Sequence, residues 1–303
     1  PKFINLTPVS RLRKLLKYLS LNDIGFRKRK LWLESGEEAA SNRLSSFLNN
    51  IDMYYKNRDL PAVDGTSGLS VHLRFGTISI RSLIRGVYKC KSKGAKLWLS
   101  ELIWRDFYQM ILDRYPVVVE QTFLPQFNQL KWSGKNSHFI AWKKGITGYP
   151  IIDAAMRHFN ATGWMHNRLR MIVACFLVKD LLVDWRKGEA YFSRYLLDFD
   201  LAANNGGWQW CASTGCDAQP WFRIFNPVTQ SKTFDSNGNF IRKILPEVSS
   251  FSNKDIHFPA TASIEAQKKA ACIIGKDYPK PIVQHAVQRD RFLSFFNQGK
   301  TAK

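Results

Sequence analysis

The densest polar chemistry in the chain lies between Asp198 and Trp210. Carboxylates at Asp198 and Asp200 and amides at Asn204 and Asn205 run directly into Gly206, Gly207, Trp208, Gln209 and Trp210. Carboxylates accept hydrogen bonds, amides both donate and accept, and glycine lets backbone approach a ligand closely. Two acids and two amides beside two indoles are costly to bury unless something pairs with them. The composition points to a binding site, with a structural loop as the plainer alternative.

Two further clusters have the same character. Asn167 and Arg170 stand at i and i+3, with Ala174 one turn on, so one helical face is polar at its start and small beyond it. Such a face suits a flat ligand, and it equally suits a helix whose buried Arg170 pairs with a carboxylate. His166 and Arg168 project elsewhere, Arg168 in a position to meet a phosphate oxygen. Asp64 to Ser70 sets small hydroxyl residues and two glycines before an apolar run. Thr66, Ser67 and Ser70 can each cap a helix, and free amides at a helix start bind phosphate. The G-x-x-G spacing there is no dinucleotide fingerprint, because no strand precedes it. The ten tryptophans, Trp32, Trp98, Trp104, Trp132, Trp142, Trp164, Trp185, Trp208, Trp210 and Trp221, serve mostly as core. Some of them could stack on bases or pass electrons, and spacing alone does not say which.

The elements that carry these residues read as helices. Ala39, Ala40, Leu44, Phe47 and Leu48 recur near 3.6 residues from Glu37 onward. Leu97 to Ile111 forms a second apolar face that ends at Tyr115 and Pro116. A third helix begins at Pro150, a good first-turn residue, and runs to Gly163, and a fourth extends from about Trp164 to Leu182. Thr233 to Asn253 reads as loops with short helices between them. No strand–helix alternation and no run of short alternating strands is present, so an all-α domain is expected.

Of 303 residues, 45 are Lys or Arg and 24 Asp or Glu, a net charge of +21, and 45% are hydrophobic. That apolar content excludes disorder, collagen-like repeats and a small disulfide scaffold. The charge predicts attraction to polyanions, nucleic acid being the commonest intracellular one, and it also serves solubility. Lys2, Arg11, Arg13, Lys14, Lys17, Arg27, Lys28, Arg29 and Lys30 crowd the first thirty residues against Asp23 alone, and the remainder still carries +13. Cys90, Cys175, Cys211, Cys216 and Cys272 form no CxxC pair and no zinc-finger spacing, which fits reduced thiols, a cytoplasmic location and no structural metal. No apolar run approaches a membrane span, and no signal-peptide core opens the chain.

From about Glu37 to its end the chain resembles the flavin-binding domain of the photolyase/cryptochrome family. The motifs stand in the family's order: RDLPAVDGTSGLS at 58–70, ELIWRDFY at 101–108, TGYPIIDAAMR at 147–157, TGWMHNRLRMIVACFLVKDLL at 162–182, DLAANNGGWQW at 200–210 and FRIFNP at 222–227. The nearest likeness is to bacterial class I cyclobutane pyrimidine dimer photolyases. It implies an all-helical domain holding FAD in a U shape, and electron transfer from excited reduced FAD to a pyrimidine dimer flipped out of DNA. Matched by position, Tyr54, Thr66, Ser67, Gly68, Leu69 and Ser70 lie on the pyrophosphate side of FAD. Asn167, Arg170, Asp198, Phe199, Asp200 and Asn204 surround flavin and ribose, with Arg170 paired to Asp198 and Asn204 near flavin N5. Trp104 and Trp210 wrap the dimer, Glu101, Asn167 and Met171 line its cavity, and Glu101 bonds a base edge. Arg58, Arg105, Arg168 and Arg223 meet DNA phosphates. Trp208, Trp185 and Trp132 match a relay that re-reduces the flavin from the surface.

The resemblance also sets expectations about what is missing or altered. Phe199 stands where the family usually has Gly, Gly68 where Arg or Lys is frequent, Cys211 and Cys216 where Ala and Thr are usual, and Trp221 where Tyr is common; Phe199 and Cys216 are expected to shift flavin packing or potential. The family's N-terminal α/β antenna domain is expected to be absent from this chain. That leaves residues 1–36 as a linker remnant, 37–303 as the catalytic domain, and no site for an antenna folate or deazaflavin. A monomer acting on DNA that contains pyrimidine dimers, without membrane contact, is expected. Asn204 favours repair over signalling, and the lack of a His pair near Asn167 and Met171 argues against (6-4) repair. A cryptochrome-like flavin photoreceptor and a catalytically silent DNA-binding fragment are the alternatives.

Overall fold

The computed structural model describes residues 20, 22–26 and 31–301. The chain divides into two compact units, Pro1–Glu34 and Ser35–Lys303. Most of the basic stretch expected as a linker lies outside the described residues. Every helix among the described residues belongs to the second unit, and no strand occurs there beyond an isolated bridge between Ile274 and Tyr278. No helix among the described residues is long and apolar enough to cross a membrane.

The helices, in chain order, are α1 (Glu37–Leu48), α2 (Tyr54–Asn57), α3 (Ser70–Phe75), α4 (Ile80–Val87), α5 (Lys93–Arg114), α6 (Asn136–Lys144), α7 (Pro150–Thr162) and α8 (Asn167–Cys175). They continue as α9 (Trp185–Tyr195), α10 (Leu201–Ala212), α11 (Pro227–Phe234), α12 (Asn239–Ile244), α13 (Ile264–Lys269) and α14 (His285–Thr301). Their starts follow capping chemistry. The Ser92 hydroxyl accepts from the Ala95 amide to open α5, Asp184 accepts from Arg186 to open α9, and Asp200 accepts from Ala203 to open α10. Pro150 occupies the first turn of α7, and Gly163 ends that helix at φ 68°, a left-handed position glycine adopts without strain.

The helix expected from Trp164 begins three residues later. His166 is its N-cap, its Nδ1 accepting from the Arg168 amide at 3.1 Å, and Trp164 lies in the connection that follows Gly163. Beyond Cys175 the helix widens into a π-helical turn, Phe176–Asp180. That turn buries Lys179 completely. Its ammonium donates to Ser213 Oγ at 3.0 Å and to the Arg223 carbonyl at 2.8 Å. Burial pushes the Lys179 amine below its ordinary pKa, with the Cys175 and Cys211 thiols and Asp180 opposing.

Two hydrophobic cores result. The smaller gathers Phe47, Ile51, Tyr54, Leu69, Leu83, Trp98 and Leu102 from α1 to the first half of α5. The larger is built on α6 to α10 and α14 around Trp142, Phe159, Phe176, Trp185, Phe192, Trp208 and Phe296. One polar knot lies inside the larger half. The carboxylate of Asp153, fully buried in α7, accepts from the Thr147 amide at 2.7 Å, the Thr147 hydroxyl at 2.6 Å, the Gly148 amide at 3.0 Å and the Tyr278 hydroxyl. It thereby fastens the turn before α7 and a residue far along the chain to one helix start. Burial pushes the Asp153 carboxyl up, and these four donors oppose that shift. Asp153→Ala leaves them unpaired and is expected to lower unfolding free energy by on the order of 3 kcal/mol, read by urea denaturation. A loss below about 0.5 kcal/mol would contradict the role of the knot.

Candidate functional site

The cavity system lies between the two cores. Its larger lobe, about 310 Å³, is lined on one side by Tyr54, Leu69, Trp98 and Leu102 of the smaller core and on the other by Met165, Asn167 and Arg170 at the start of α8. A smaller lobe of about 160 Å³ is lined by Met171, Ala174, Phe192, Leu196, Asn204, Gly207, Trp208 and Cys211. Asn167, Arg170, Asp198, Asp200 and Ala203 line both, so the lobes adjoin at a bend.

At that bend the charges are paired. Arg170 Nη2 donates to both oxygens of Asp198, at 2.7 and 3.0 Å, while its Nε holds the Met165 carbonyl at 2.8 Å. The Asp198 side chain is only 3% exposed, and the Arg170 guanidinium is its charge partner there. Asp200 is held by Arg105 at 2.9 Å and by the Gln109 amide at 2.9 Å, in addition to capping α10. Asn204 commits its amide nitrogen to Glu189, 2.8 Å from Oε1, which leaves its oxygen as the available acceptor. Burial pushes the Glu189 carboxyl up, and the Asn204 bond opposes it. The acids and amides that looked costly to bury all have partners.

The 64–70 segment forms the far wall of the larger lobe. None of its hydroxyls caps α3, whose N-cap is Leu69 with no side-chain bond, so the ordinary N-cap reading does not hold. Arg43 of α1 clamps the segment from behind instead, with Nε on the Ser67 carbonyl at 2.8 Å and Nη2 on the Thr66 carbonyl at 2.9 Å and on Asp64 at 2.6 Å. Gly68 sits at φ 64°, against the Arg43 guanidinium. The clamp engages the carbonyl oxygens that would repel an anion, while Thr66, Ser67 and Ser70 still line the lobe. Ser70 Oγ also accepts from the Trp164 indole at 3.3 Å.

These features answer whether a bent dinucleotide fits. The carboxylates at the bend are neutralised, as an uncharged ring system requires. The hydroxyl-rich wall has its carbonyls engaged elsewhere, as a pyrophosphate requires. Gly207 lines the smaller lobe with nothing within 4 Å of where a Cβ would stand, so a larger side chain there would occupy the space. The residues present fit FAD.

Of the residues expected to hold cofactor, Tyr54, Thr66, Ser67, Gly68, Leu69, Ser70, Asn167, Arg170, Asp198, Asp200 and Asn204 line one lobe or both. Phe199 lines neither; it packs against the larger core. Glu101 lines the larger lobe bound to Arg58 at 2.6 Å, and Met171 lines the smaller. Trp104 is 40% exposed, its ring beside Tyr108 at 6.0 Å, and Tyr108 and Trp210 both line a narrow crevice next door. Arg168 lies outside both lobes, paired with Asp59 at 3.0 Å and stacked on Phe234. Arg223 is exposed.

Trp208 forms part of the smaller lobe's wall, Trp185 is fully buried with its indole nitrogen unpartnered, and Trp132 is half-buried on Phe295. Among the described residues no ring contact joins these three. The indole that does touch Trp208 is Trp142, at 6.1 Å. The backbone of α9 reaches Trp208 at Gly188, where a Cβ would stand 2.2 Å from the indole edge.

Arg43, Gln109 and Glu189 were not singled out in the sequence, and Trp98 and Trp164 stood there only among the tryptophans expected mostly as core. Only α5 carried a usable signal: Trp98, Glu101, Leu102, Arg105 and Gln109 repeat at three and four residues and share one face.

Comparison with known proteins agrees with the geometry. Residues 98–298 match the family described as FAD binding domain of DNA photolyase. The deoxyribodipyrimidine photo-lyase of Alkalihalophilus pseudofirmus is 48% identical over 268 residues, covering 88% of this chain and 56% of that protein. Among solved structures, a bacterial class III photolyase from Agrobacterium tumefaciens superposes with a TM-score of 0.86 at 40% identity, covering 89% of this chain and 57% of the other. A Synechocystis cryptochrome superposes at 0.84 with 31% identity, covering 89% and 59%. The chain thus spans little more than half the length of these relatives. Gly207→Leu is expected to keep the helical circular dichroism, because leucine suits a helix interior better than glycine by up to about 1 kcal/mol, and to abolish FAD retention. Undiminished flavin absorbance in that variant would show that the smaller lobe does not hold the ring.

Proposed function

The chain belongs to the family of FAD-binding domains of DNA photolyases, FAD is its cofactor, and from that premise we propose that it repairs cyclobutane pyrimidine dimers in DNA under light. The observation that carries the reading is that Glu101, Asn167 and Met171, three of the residues expected to touch lesion, line the same two adjoining lobes as most of those expected to touch cofactor. Glu101 and Met171 face the space that Arg170, Asp198 and Asn204 bound.

The chemistry FAD supplies there, when bound and reduced, is a light-driven, reversible one-electron donation to the dimer. The protein positions both partners. Arg170 and Asp198 present a neutral pair at the bend, and Asn204 offers an uncharged acceptor whose orientation Glu189 fixes. A dimer reaches the lobes only by leaving the duplex, and a damaged, poorly stacked pair is the easiest to extrude. Trp104, being exposed, offers a ring on which it can stack. Glu101, held by Arg58 at 2.6 Å, offers a carboxylate oxygen as acceptor to a base edge. Arg58, Arg105 and Arg168 already hold carboxylates, so each contacts phosphate only by sharing or exchanging its partner. Arg223 has no such competition in the ion pairs of the described residues. Trp208 lines the smaller lobe, Trp185 is buried and Trp132 is half-buried, and these three are the residues assigned to recharging the cofactor. The Synechocystis likeness favours one second reading, a photoreceptor that undergoes flavin photochemistry without repair.

The deciding experiment is illumination of the FAD-loaded, reduced chain with an oligonucleotide carrying one thymine dimer, followed by chromatography. Restored thymines support repair, and flavin photoreduction without restored thymines supports the photoreceptor. Trp104→Ala is expected to weaken binding to dimer-containing DNA by about 1–3 kcal/mol while leaving undamaged DNA nearly unaffected. Equal losses on both substrates, measured by fluorescence anisotropy, would remove Trp104 from the lesion pocket.

A further inference from the structure

Two buried cysteines meet where α8 packs on α10. Cys175 ends α8, and Cys211 lies in the last turn of α10, where it lines the smaller lobe together with Asn204 and Trp208. Cys211 Sγ lies 3.8 Å from the Met171 carbonyl, one helical turn before Cys175. The Gln219 amide nitrogen spans the pair, donating to Cys175 Sγ at 3.1 Å and to the Cys211 carbonyl at 3.1 Å. The Cys211 thiol gives a hydrogen bond to the Cys175 sulfur, so the two sulfur atoms face each other across the helix interface.

The surroundings divide the work between the two thiols. Burial pushes Cys175 up, but the bond from Cys211, the Lys179 charge and the Gln219 amide outweigh it and leave the thiol below its ordinary value. Cys211, which supplies the proton of that bond, is pushed well up by it and by burial. One sulfur is thus favoured as the thiolate, the electron-rich form, while its neighbour keeps a proton. Neither cysteine is open to bulk solvent, so a dissolved oxidant does not reach the pair directly. The redox partner that the fold brings nearest is whatever fills the lobe that Cys211 lines.

Resting on the reading that this lobe holds the flavin ring, we infer that Cys175 and Cys211 form an internal two-electron donor that reduces the oxidised flavin under light. The Cys175 thiolate gives the first electron to light-excited oxidised FAD and becomes a thiyl radical. That radical bonds to the Cys211 sulfur as the Cys211 S–H bond breaks, and the disulfide radical anion so formed gives up the second electron. Both electrons and the Cys211 proton end on the flavin. The balance is one thiolate, one thiol and FAD giving one disulfide and FADH⁻, with no other reactant. The pair differs in kind from the tryptophans, which pass electrons along and store none.

The test is illumination of the FAD-loaded, oxidised chain without oxygen and without any added donor, after its thiols have been reduced and the reductant removed. The oxidised-flavin absorbance is expected to bleach to the two-electron-reduced form. Thiol titration in denaturant is expected to show one pair of the five cysteines lost, and peptide mass mapping to place the new bond between Cys175 and Cys211. Cys175→Ser and Cys211→Ala are each expected to abolish this bleaching, and to bleach once EDTA is supplied as an external electron donor. Cys90→Ser, at an exposed position, is expected to behave as the wild type. Bleaching with all five thiols still free, a bond joining other cysteines, or donor-free bleaching in either buried-cysteine variant overturns the proposal. So does a wild-type chain that keeps its flavin and bleaches only with EDTA. A wild-type chain that takes up no FAD overturns the underlying reading as well, which the flavin-to-protein absorbance ratio shows separately.

Discussion

The bond between Arg170 and Asp198 is the constraint around which the site is built. A carboxylate almost wholly withdrawn from water needs a charge partner held in place, and Arg170 is held in place by its own bond to the Met165 carbonyl. The pair ties the start of α8 to the segment that leads into α10, and Asn167, Arg170, Asp198 and Asp200 from these two stretches line both lobes. Removing one partner of such a buried pair typically costs about 3–5 kcal/mol, because the other is left uncompensated. The pair thus fixes the bend geometrically and also makes it electrically neutral.

Neutralisation recurs at the rim. Arg58 with Glu101, Arg105 with Asp200 and Arg168 with Asp59 leave little free positive charge where a polyanion would approach the lobes. These pairs hold the planar guanidinium groups in fixed orientations before any ligand arrives, which lowers the ordering cost of a later contact. A net charge of +21 is therefore a poor guide to where charge is available.

Much of this was legible in the sequence because the relevant signals are local. Pro150 and Gly163 bracket α7, Asp200 opens α10, and the i, i+3 spacing of Asn167 and Arg170 already implied one face. What stayed hidden depends on partners far apart in the chain. Arg43 reaches the 64–68 loop from a separate helix, Asn204 finds Glu189, and Asp153 finds Tyr278 more than a hundred residues away. The π-helical turn at Phe176–Asp180 gives no periodic warning either, since one extra residue per turn changes the register without changing the composition. The start of α8 was misplaced because Trp164 and Met165 continue the apolar pattern, whereas the cap that sets the boundary is a histidine, an uncommon capping residue.

The position of the larger lobe, on the seam between two separate hydrophobic cores, has a consequence for how the molecule unfolds. Tyr54, Leu69, Trp98 and Leu102 contribute to one core and to the lobe at once, while Met165 belongs to the other core and faces them across the cavity. A ligand in that seam substitutes for the direct packing the cores lack, acting as mortar between two blocks. Its stabilisation grows as the logarithm of its concentration over its dissociation constant. It also adds to the packing of α5 on α10, so that the filled molecule couples the two blocks more tightly than the empty one does.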